Sequence, residues 1–244
     1  DGDALSIGGN HTLHLLRRNV NVQIILFNNE IYGLTKGQYS PTSRQGTRTP
    51  STPQGSIENP LGVCGFALGA GGRFVARAID TDQAHLVEVL KRAHAHRGAS
   101  FVDVFQNCVV YNDAVFESFT AKDVAKDMQV HLKHGEPMLF GKNRDRGLRL
   151  KPGKLELEIV TLGQNGITLD DVLVHDETDR MLAWVLASIG PPAFPVPIGV
   201  LFCNPASIYE DAVMAQVDEA HAKAPSPDLR DLLTAGGTWT VDGS

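Results

Sequence analysis

The chain has 244 residues, 42% of them apolar, with 22 Lys and Arg set against 28 Asp and Glu for a formal net charge of −6. That balance gives no support to nucleic-acid binding, which shows as a basic domain or stripe. No run approaches the eighteen or more apolar residues of a membrane span, and no stretch resembles a signal peptide, so a cytoplasmic protein is expected. The three cysteines, Cys64, Cys108 and Cys203, are too few and too scattered for a disulfide framework and suit a reducing compartment.

In chain order, an Asp1-Gly2-Asp3 turn leads into a predicted helix over Ile7 to Arg18, with Arg17 and Arg18 complementing the dipole at its C-terminus and Asn19 as its stop. Val20 to Phe27 is rich in Val and Ile and nearly all apolar, as a central parallel strand covered on both faces should be. It stops at Asn28-Asn29. From Tyr39 to Pro60 the composition predicts a long loop, and loops of that length inside a compact domain tend to be functional. A small-residue helix over Leu61 to Gly72, a strand over Phe74 to Ile79 and a helix from Asp80-Thr81-Asp82 to about His96 follow. Ser100 to Phe105 reads as the next strand, with Cys108 just beyond its C-terminal end.

Past Phe116 the pattern weakens. Thr120 to Asp123 could open a short helix, Gly135 to Gly153 is basic and irregular, and Leu155 to Leu162 alternates as a strand. Thr178 to Ile189 reads as an amphipathic helix broken by Pro191 to Pro197, and Glu210 to Lys223 as a last helix before a Gly/Pro/Ser tail. The βαβ pattern predicts the α/β class, a parallel sheet flanked by helices, with residues 1–118 as the first domain and 119–244 as an α+β extension.

The chemistry concentrates at the ends of the first strand. Polar groups that follow successive parallel strands share the C-terminal edge of the sheet, where open α/β sheets bind ligands. Asp1 and Asn29 can therefore meet there, with Cys108 on the same edge. A carboxylate, an amide oxygen and a backbone carbonyl are the hard ligands that Mg²⁺ accepts. An EF-hand reading fails at its sixth position, which should be glycine and is Ser6. Taken alone, Lys36 reads as an ordinary exposed lysine and Cys108 as a buried thiol. His11 and His14, on the first helix, are either donors near the site or satisfied by neighbours. His85, His94 and His96 receive no role, and His175-Asp176-Glu177 reads as a loop feeding a capped helix. The basic run Lys142, Arg144, Arg146, Arg149, Lys151 and Lys154 is either solvated surface or a steering patch for an acidic partner.

Asp1-Gly2-Asp3 followed at this distance by Asn28-Asn29 resembles the GDG…NN motif of thiamine-diphosphate enzymes with its leading glycine lost. The run from Ile31 to Thr42, IYGLTKGQYSPT, is narrower. It resembles the β subunit of 2-oxoacid:ferredoxin oxidoreductases, most nearly the two-subunit 2-oxoglutarate:ferredoxin oxidoreductase. The likeness is clear from Asp1 to about Phe116 and looser beyond. It implies a thiamine-diphosphate-binding domain of the pyrophosphate (PP) type, with Mg²⁺ on Asp1, Asn29 and the Ile31 carbonyl. Asp1, Gly2, Asp3, Asn29, Ile31, Gly33, Leu34 and Thr35 would bind the cofactor, Asp3 by supporting the turn. Lys36 would pair with the substrate carboxylate, and Leu34 would shape the pocket and help select the 2-oxoacid. Cys108, in QNCVVYND, would be one ligand of a [4Fe–4S] cluster, which needs four thiolates. Cys64 and Cys203 do not match ligand positions and read as structural.

The activity so implied is oxidative decarboxylation of a 2-oxoacid, with 2-oxoglutarate giving succinyl-coenzyme A, using coenzyme A and ferredoxin. Either direction of reaction is open. The likeness further implies an α subunit that completes the active site, an (αβ)₂ assembly, and an N-terminal segment of the same subunit supplying the other three cluster ligands. A chain that begins on aspartate inside a cofactor motif agrees with the last point. The alternatives are a non-oxidative thiamine decarboxylase or carboligase, which has no use for Cys108, a pyruvate:ferredoxin oxidoreductase β subunit, and a non-catalytic electron-transfer subunit.

Overall fold

The computed structural model describes residues 1–223 and 228–243, and the chain forms two compact units, Asp1–Ile208 and Tyr209–Ser244. In the first unit a single turn, α1 (Gly2–Leu5), precedes α2 (Gly9–Arg18). The predicted first helix thus starts two residues late, at Gly9. Asn19 ends it as expected, in the left-handed region at φ 55°, with its amide donating to the Leu15 and Leu16 carbonyls. That conformation is one asparagine tolerates better than most residues.

Strand β1 (Gln23–Asn28) lies parallel to β3 (Ser100–Phe105), with Asn28 opposite Phe105. Between them in sequence come α3 (Val63–Gly69), β2 (Phe74–Ile79) and α4 (Gln83–Ala95). β2 is parallel to β3, and every residue of β2 is buried. The sheet order is β1-β3-β2-β8-β4. β1 is therefore an edge strand, not the central strand its composition suggests. Leu26 and Asn28 face the core, whereas Ile25 and Phe27 are 41% and 54% exposed.

Two short helices, α5 (Glu117–Thr120) and α6 (Ala125–Met128), lead into β4 (Gln129–His131). The stretch expected to be irregular instead holds β5 (Leu139–Phe140) and β6 (Arg146–Leu150), which with β7 (Leu157–Thr161) form a small antiparallel sheet. Its register explains the basic run. Arg149 donates to Glu158 at 2.6 and 2.8 Å, Lys151 pairs with Glu156 at 2.9 Å, and Arg146 pairs with Asp127 at 2.5 Å while stacking on Phe140. Arg146, Arg149 and Lys151, half of that run, are thus matched locally.

Helix α7 (Arg180–Ala187) begins at Asp179, whose carboxylate accepts the Met181 and Leu182 amides. Trp184 of α7 lies over Gly65 and Gly69 of α3, in ordinary contact with the space their side chains would take. The small residues of α3 serve that close approach. β8 (Val196–Cys203) then enters the main sheet antiparallel to β2 and parallel to β4. The sheet is mixed rather than wholly parallel, and residues beyond 118 complete it. Its core gathers Leu16, Leu26, Val63, Leu68, Val75, Phe101, Leu186 and Leu201 from α2, α3, α7 and the central strands. Each such side chain contributes about 1.5–3 kcal/mol of burial.

The second unit holds α8 (Tyr209–Lys223) and α9 (Leu229–Thr234), neither with a buried residue. The last predicted helix is present. The tail predicted after it is helical over Leu229–Thr234, and its residues 224–227 and 244 lie outside the described residues. No helix among the described residues is long and apolar enough to cross a membrane.

Candidate cofactor and metal site

The ends of β1 and β3 bring the sequence-predicted residues to one sheet edge. The Asp1 backbone nitrogen donates to the Phe27 carbonyl at 2.6 Å, which fixes the first turn against the end of β1. Asp1 Oδ1 accepts the Asn29 amide at 3.5 Å, and Asp1 Oδ2 accepts the Thr42 hydroxyl at 2.6 Å. Asn29 Oδ1 accepts the Ile31 amide at 3.3 Å. Two residues 28 positions apart therefore stand together, and the loop that starts at Tyr39 folds back onto them.

That loop is not a slack connection. Ser40, Thr42 and Ser43 are buried, with Ser43 Oγ accepting the Ser40 amide at 2.8 Å and donating to the Glu30 carbonyl at 2.5 Å. From the other side, Asn112 Nδ2 donates to the Asn29 carbonyl at 2.9 Å. Glu30 sits at φ 54° between these clamps, and its own carboxyl is pushed up by burial and held down in part by Arg44 at 2.9 Å. Among the described residues the Ile31 carbonyl accepts no backbone hydrogen bond. The donor set at this corner is thus all oxygen: a carboxylate, an amide oxygen and a carbonyl, which suits Mg²⁺ and a diphosphate.

Gly2 has a steric reason to be glycine. A Cβ there would lie 2.2 Å from the Tyr32 ring, so the ring sits directly on the turn. Tyr32 accepts the Gly37 amide at its carbonyl and donates its own amide to the Gln38 carbonyl, at 2.8 and 2.9 Å, closing the loop that carries Gly33, Leu34, Thr35 and Lys36. Tyr111 packs against Gly37, 3.0 Å from where a Cβ would be. Leu34 is 97% exposed and Lys36 is exposed at φ 75°. Thr35 Oγ1 donates to Gln38 Oε1 at 2.5 Å. Cys108 Sγ lies 3.9 Å from a Cβ built on Gly33, so its thiol is at the base of this loop. Asp3 is exposed, consistent with a part in the turn rather than at the metal corner. His11 is exposed and His14 half-buried, and neither is bonded to Asp1 or Asn29 among the described residues.

Behind the site runs a buried network. Asn28 Nδ2 donates to Asp103 Oδ1 at 3.1 Å, and Arg77 Nε pairs with Asp103 Oδ2 at 3.3 Å. Burial pushes the Asp103 carboxyl up, opposed by Arg77 and Asn28. Burial also raises the Cys64 thiol to about 12, which keeps it protonated. Thr42, Asn112, Tyr32 and Tyr111 were not assigned roles from sequence. They lie inside the motif runs quoted above, which was the available signal, but their partners are up to 83 positions away.

Residues 1–104 match the model of the thiamine pyrophosphate enzyme C-terminal TPP-binding domain. The chain is 43% identical over 99% of its length to the 2-oxoglutarate oxidoreductase subunit KorB of Mycobacterium tuberculosis, covering 65% of that protein. This chain is similar to 2-oxoacid:ferredoxin oxidoreductase β subunits. A second such relative, a 2-oxoglutarate synthase subunit KorB from Methanocaldococcus jannaschii, is 37% identical over 57% of this chain and 52% of that one. Among solved structures, a 2-oxoglutarate:ferredoxin oxidoreductase from Magnetococcus marinus, with 2-oxoglutarate, coenzyme A and succinyl-CoA bound, aligns over 98% of this chain and 66% of that one, with a TM-score of 0.69 and 28% identity. The chain thus spans just under two thirds of the length of the Mycobacterium tuberculosis and Magnetococcus marinus proteins. The family's α/β fold is the one described above.

Proposed function

We propose that the chain is the thiamine-diphosphate and Mg²⁺ corner of a 2-oxoacid:ferredoxin oxidoreductase β subunit that oxidatively decarboxylates 2-oxoglutarate to succinyl-coenzyme A and CO₂. The observation that carries this reading is the convergence of Asp1, Asn29 and the Ile31 backbone at one sheet edge, through the Asn29 amide on Asp1 and the Ile31 amide on Asn29, with the Cys108 thiol beside Gly33. The metal corner and a thiol ligand are together what an enzyme passing electrons from thiamine to a cluster requires, whereas a non-oxidative carboligase needs only the first.

In this reading Asp1, Asn29 and the Ile31 carbonyl hold Mg²⁺, and the metal holds the diphosphate. Thr42 orients the Asp1 carboxylate, while Ser43 and Asn112 fix the carbonyls of Glu30 and Asn29 so that the chain enters the site at one angle. When bound, thiamine diphosphate supplies the carbon nucleophile and the electron sink that decarboxylation needs. Lys36 binds a carboxylate of the 2-oxoacid, and Leu34 excludes water beside it. Gly2, Gly33 and Thr35 shape the loop around the diphosphate. Cys108 is one ligand of a [4Fe–4S] cluster. One thiol cannot hold such a cluster, so three further ligands lie outside this chain. The partners are an α subunit that completes the site, in an (αβ)₂ assembly, with ferredoxin as electron acceptor and coenzyme A as acyl acceptor.

The test is a substrate panel on the assembled αβ enzyme with ferredoxin and iron and sulfide analysis. The proposal expects ferredoxin reduction that depends on 2-oxoglutarate and coenzyme A in iron-containing enzyme. Turnover without coenzyme A in enzyme lacking iron would overturn it in favour of a carboligase, and a preference for pyruvate would overturn the substrate assignment.

A further inference from the structure

On the other flank of the sheet, three side chains that play no part in the site above come together. Asp82, the N-cap of α4, His85 in the first turn of that helix and His131 at the end of β4 each offer a ligand atom, and these atoms lie within 4.8 Å of one another. Topology makes the meeting unavoidable. β8 runs antiparallel to β2 with Arg77 opposite Gly199, and His131 pairs in register with Ile198 of β8. His131 is thereby set level with the C-terminal end of β2, where Asp82 and α4 begin. The two imidazole rings meet edge to face, their centres 5.0 Å apart.

We propose that Asp82, His85 and His131 form a binding site for a divalent transition-metal ion of the zinc type. Two imidazoles and one carboxylate on separate elements make a three-ligand set that zinc accepts, with water in the fourth position. Zinc bonds of about 2.0–2.2 Å set ligand atoms ~3.3 Å apart, so no pair of these atoms has to close by more than about 1.5 Å. His85 Nδ1 is buried and makes no hydrogen bond, so the ring has a nitrogen to give without losing a bond already made. Asp82 Oδ1 accepts the His85 amide at 3.2 Å, which leaves the second carboxylate oxygen available and holds Asp82 and His85 in fixed relation.

The surrounding charge decides the class of ion. Glu88 lies close enough to favour positive charge on His85, whereas Lys133 and Arg144 oppose it at His131. Asp82 and Glu88 are therefore balanced by two cations. A hard ion such as Mg²⁺ or Ca²⁺, which needs several oxygens and net negative charge, gains little here, and an ion bound through imidazole nitrogen gains most. The adjoining cavity, of about 460 Å³ and lined by Glu88, Arg92, His134 and Val200, gives an entry path.

Such a site would tie the edge strand β4 to α4 and would leave turnover unchanged, since neither element reaches the Asp1 corner. The experiment is equilibrium dialysis of the purified assembled enzyme against Zn²⁺ in excess Mg²⁺, with elemental analysis and zinc-edge X-ray absorption, on wild type, His131→Ala and His85→Gln. The expected result is one equivalent of zinc in a shell of nitrogen and oxygen containing two imidazoles, a rise in Tm on adding zinc, and a loss of affinity of ~100-fold or more in each variant, beyond the 10–100-fold typical of outer partners. Because His131 is exposed, its removal leaves the fold intact. Equal zinc uptake by wild type and His131→Ala, sulfur in the zinc shell, or no zinc bound at micromolar concentration would each overturn the proposal.

Discussion

The floor and the lip of the candidate site are built from adjacent residues and differ in almost every physical respect. At the floor, Asp1, Asn29 and the Glu30 carbonyl are each tied by bonds that span from 13 to 83 positions of sequence, to Thr42, Ser43 and Asn112. At the lip, Leu34 is 97% exposed, and the Lys36 side chain has no ion pair or hydrogen bond among the described residues. The difference is one of pre-organisation. The floor's oxygen donors are held in place by bonds within this chain, as the proposed metal site requires, whereas the lip presents a charge and an apolar side chain that the chain itself leaves uncovered.

Of the supporting residues around the floor and the lip, Thr42 is expected to give the larger effect. Thr42→Val keeps the shape and removes the hydroxyl from Asp1. It should weaken Mg²⁺-dependent cofactor binding ~10–100-fold, as loss of an outer-shell partner of a metal ligand does, with little change in KM for coenzyme A. Unchanged Mg²⁺ dependence would mean that the floor is held by something other than this bond.

Lys36→Met should act at the lip alone. It is expected to raise KM for the 2-oxoacid by ~10-fold, the scale of one charge-assisted hydrogen bond, and to leave Mg²⁺ affinity and KM for coenzyme A as they were. Equal rises for both substrates would place Lys36 outside substrate recognition and break the division into floor and lip.

The sequence made the floor legible and the lip partly so. Oxygen donors at the ends of apolar runs are readable because parallel strands share an edge, and β1, β2 and β3 appear where their Val and Ile runs predict. Thr42 was invisible as a support, because its bond to Asp1 depends on how a loop returns across 41 positions. The placement of β1 at an edge was equally hidden. QIILF is apolar on both faces, and composition alone cannot show that only one face is covered. β8 is not legible in the sequence at all, since its prolines mark the end of a helix, and nothing in VPIGVLFC reveals that it joins β2 antiparallel. The local matching of the basic run was hidden as well, because the pairing of Arg149 with Glu158 is a matter of register between β6 and β7.

The smallest effect concerns pH and separates the floor from the flank that carries α4 and β4. Burial lowers the pKa of His85, His96, His131 and His175, the last being 1% exposed with Nε2 donating to the Val200 carbonyl at 2.8 Å. Their folded values lie below the unfolded value of about 6.5, so the unfolded chain binds more protons as pH falls. The stability they confer is present above about pH 6.5 and is lost as pH drops through the folded values. Asp103 and Glu30, raised by burial, act in the opposite direction at lower pH. Between about pH 7.5 and 6 the urea midpoint should fall modestly, and less so in His175→Gln. The oxygen floor contains no imidazole, and its Mg²⁺ affinity should not follow the same curve. A flat urea midpoint would contradict the assignment of these rings as buried and neutral.

The central claim is that Asp1 and its neighbours hold the metal through which the diphosphate binds. Titration of thiamine diphosphate into the assembled enzyme at varied Mg²⁺, for wild type and Asp1→Asn, tests it most directly. The account predicts Mg²⁺-dependent binding in wild type and a loss of that dependence, with affinity lower by ~100-fold or more, in the variant. Equal Mg²⁺-dependent affinity in both proteins would contradict it.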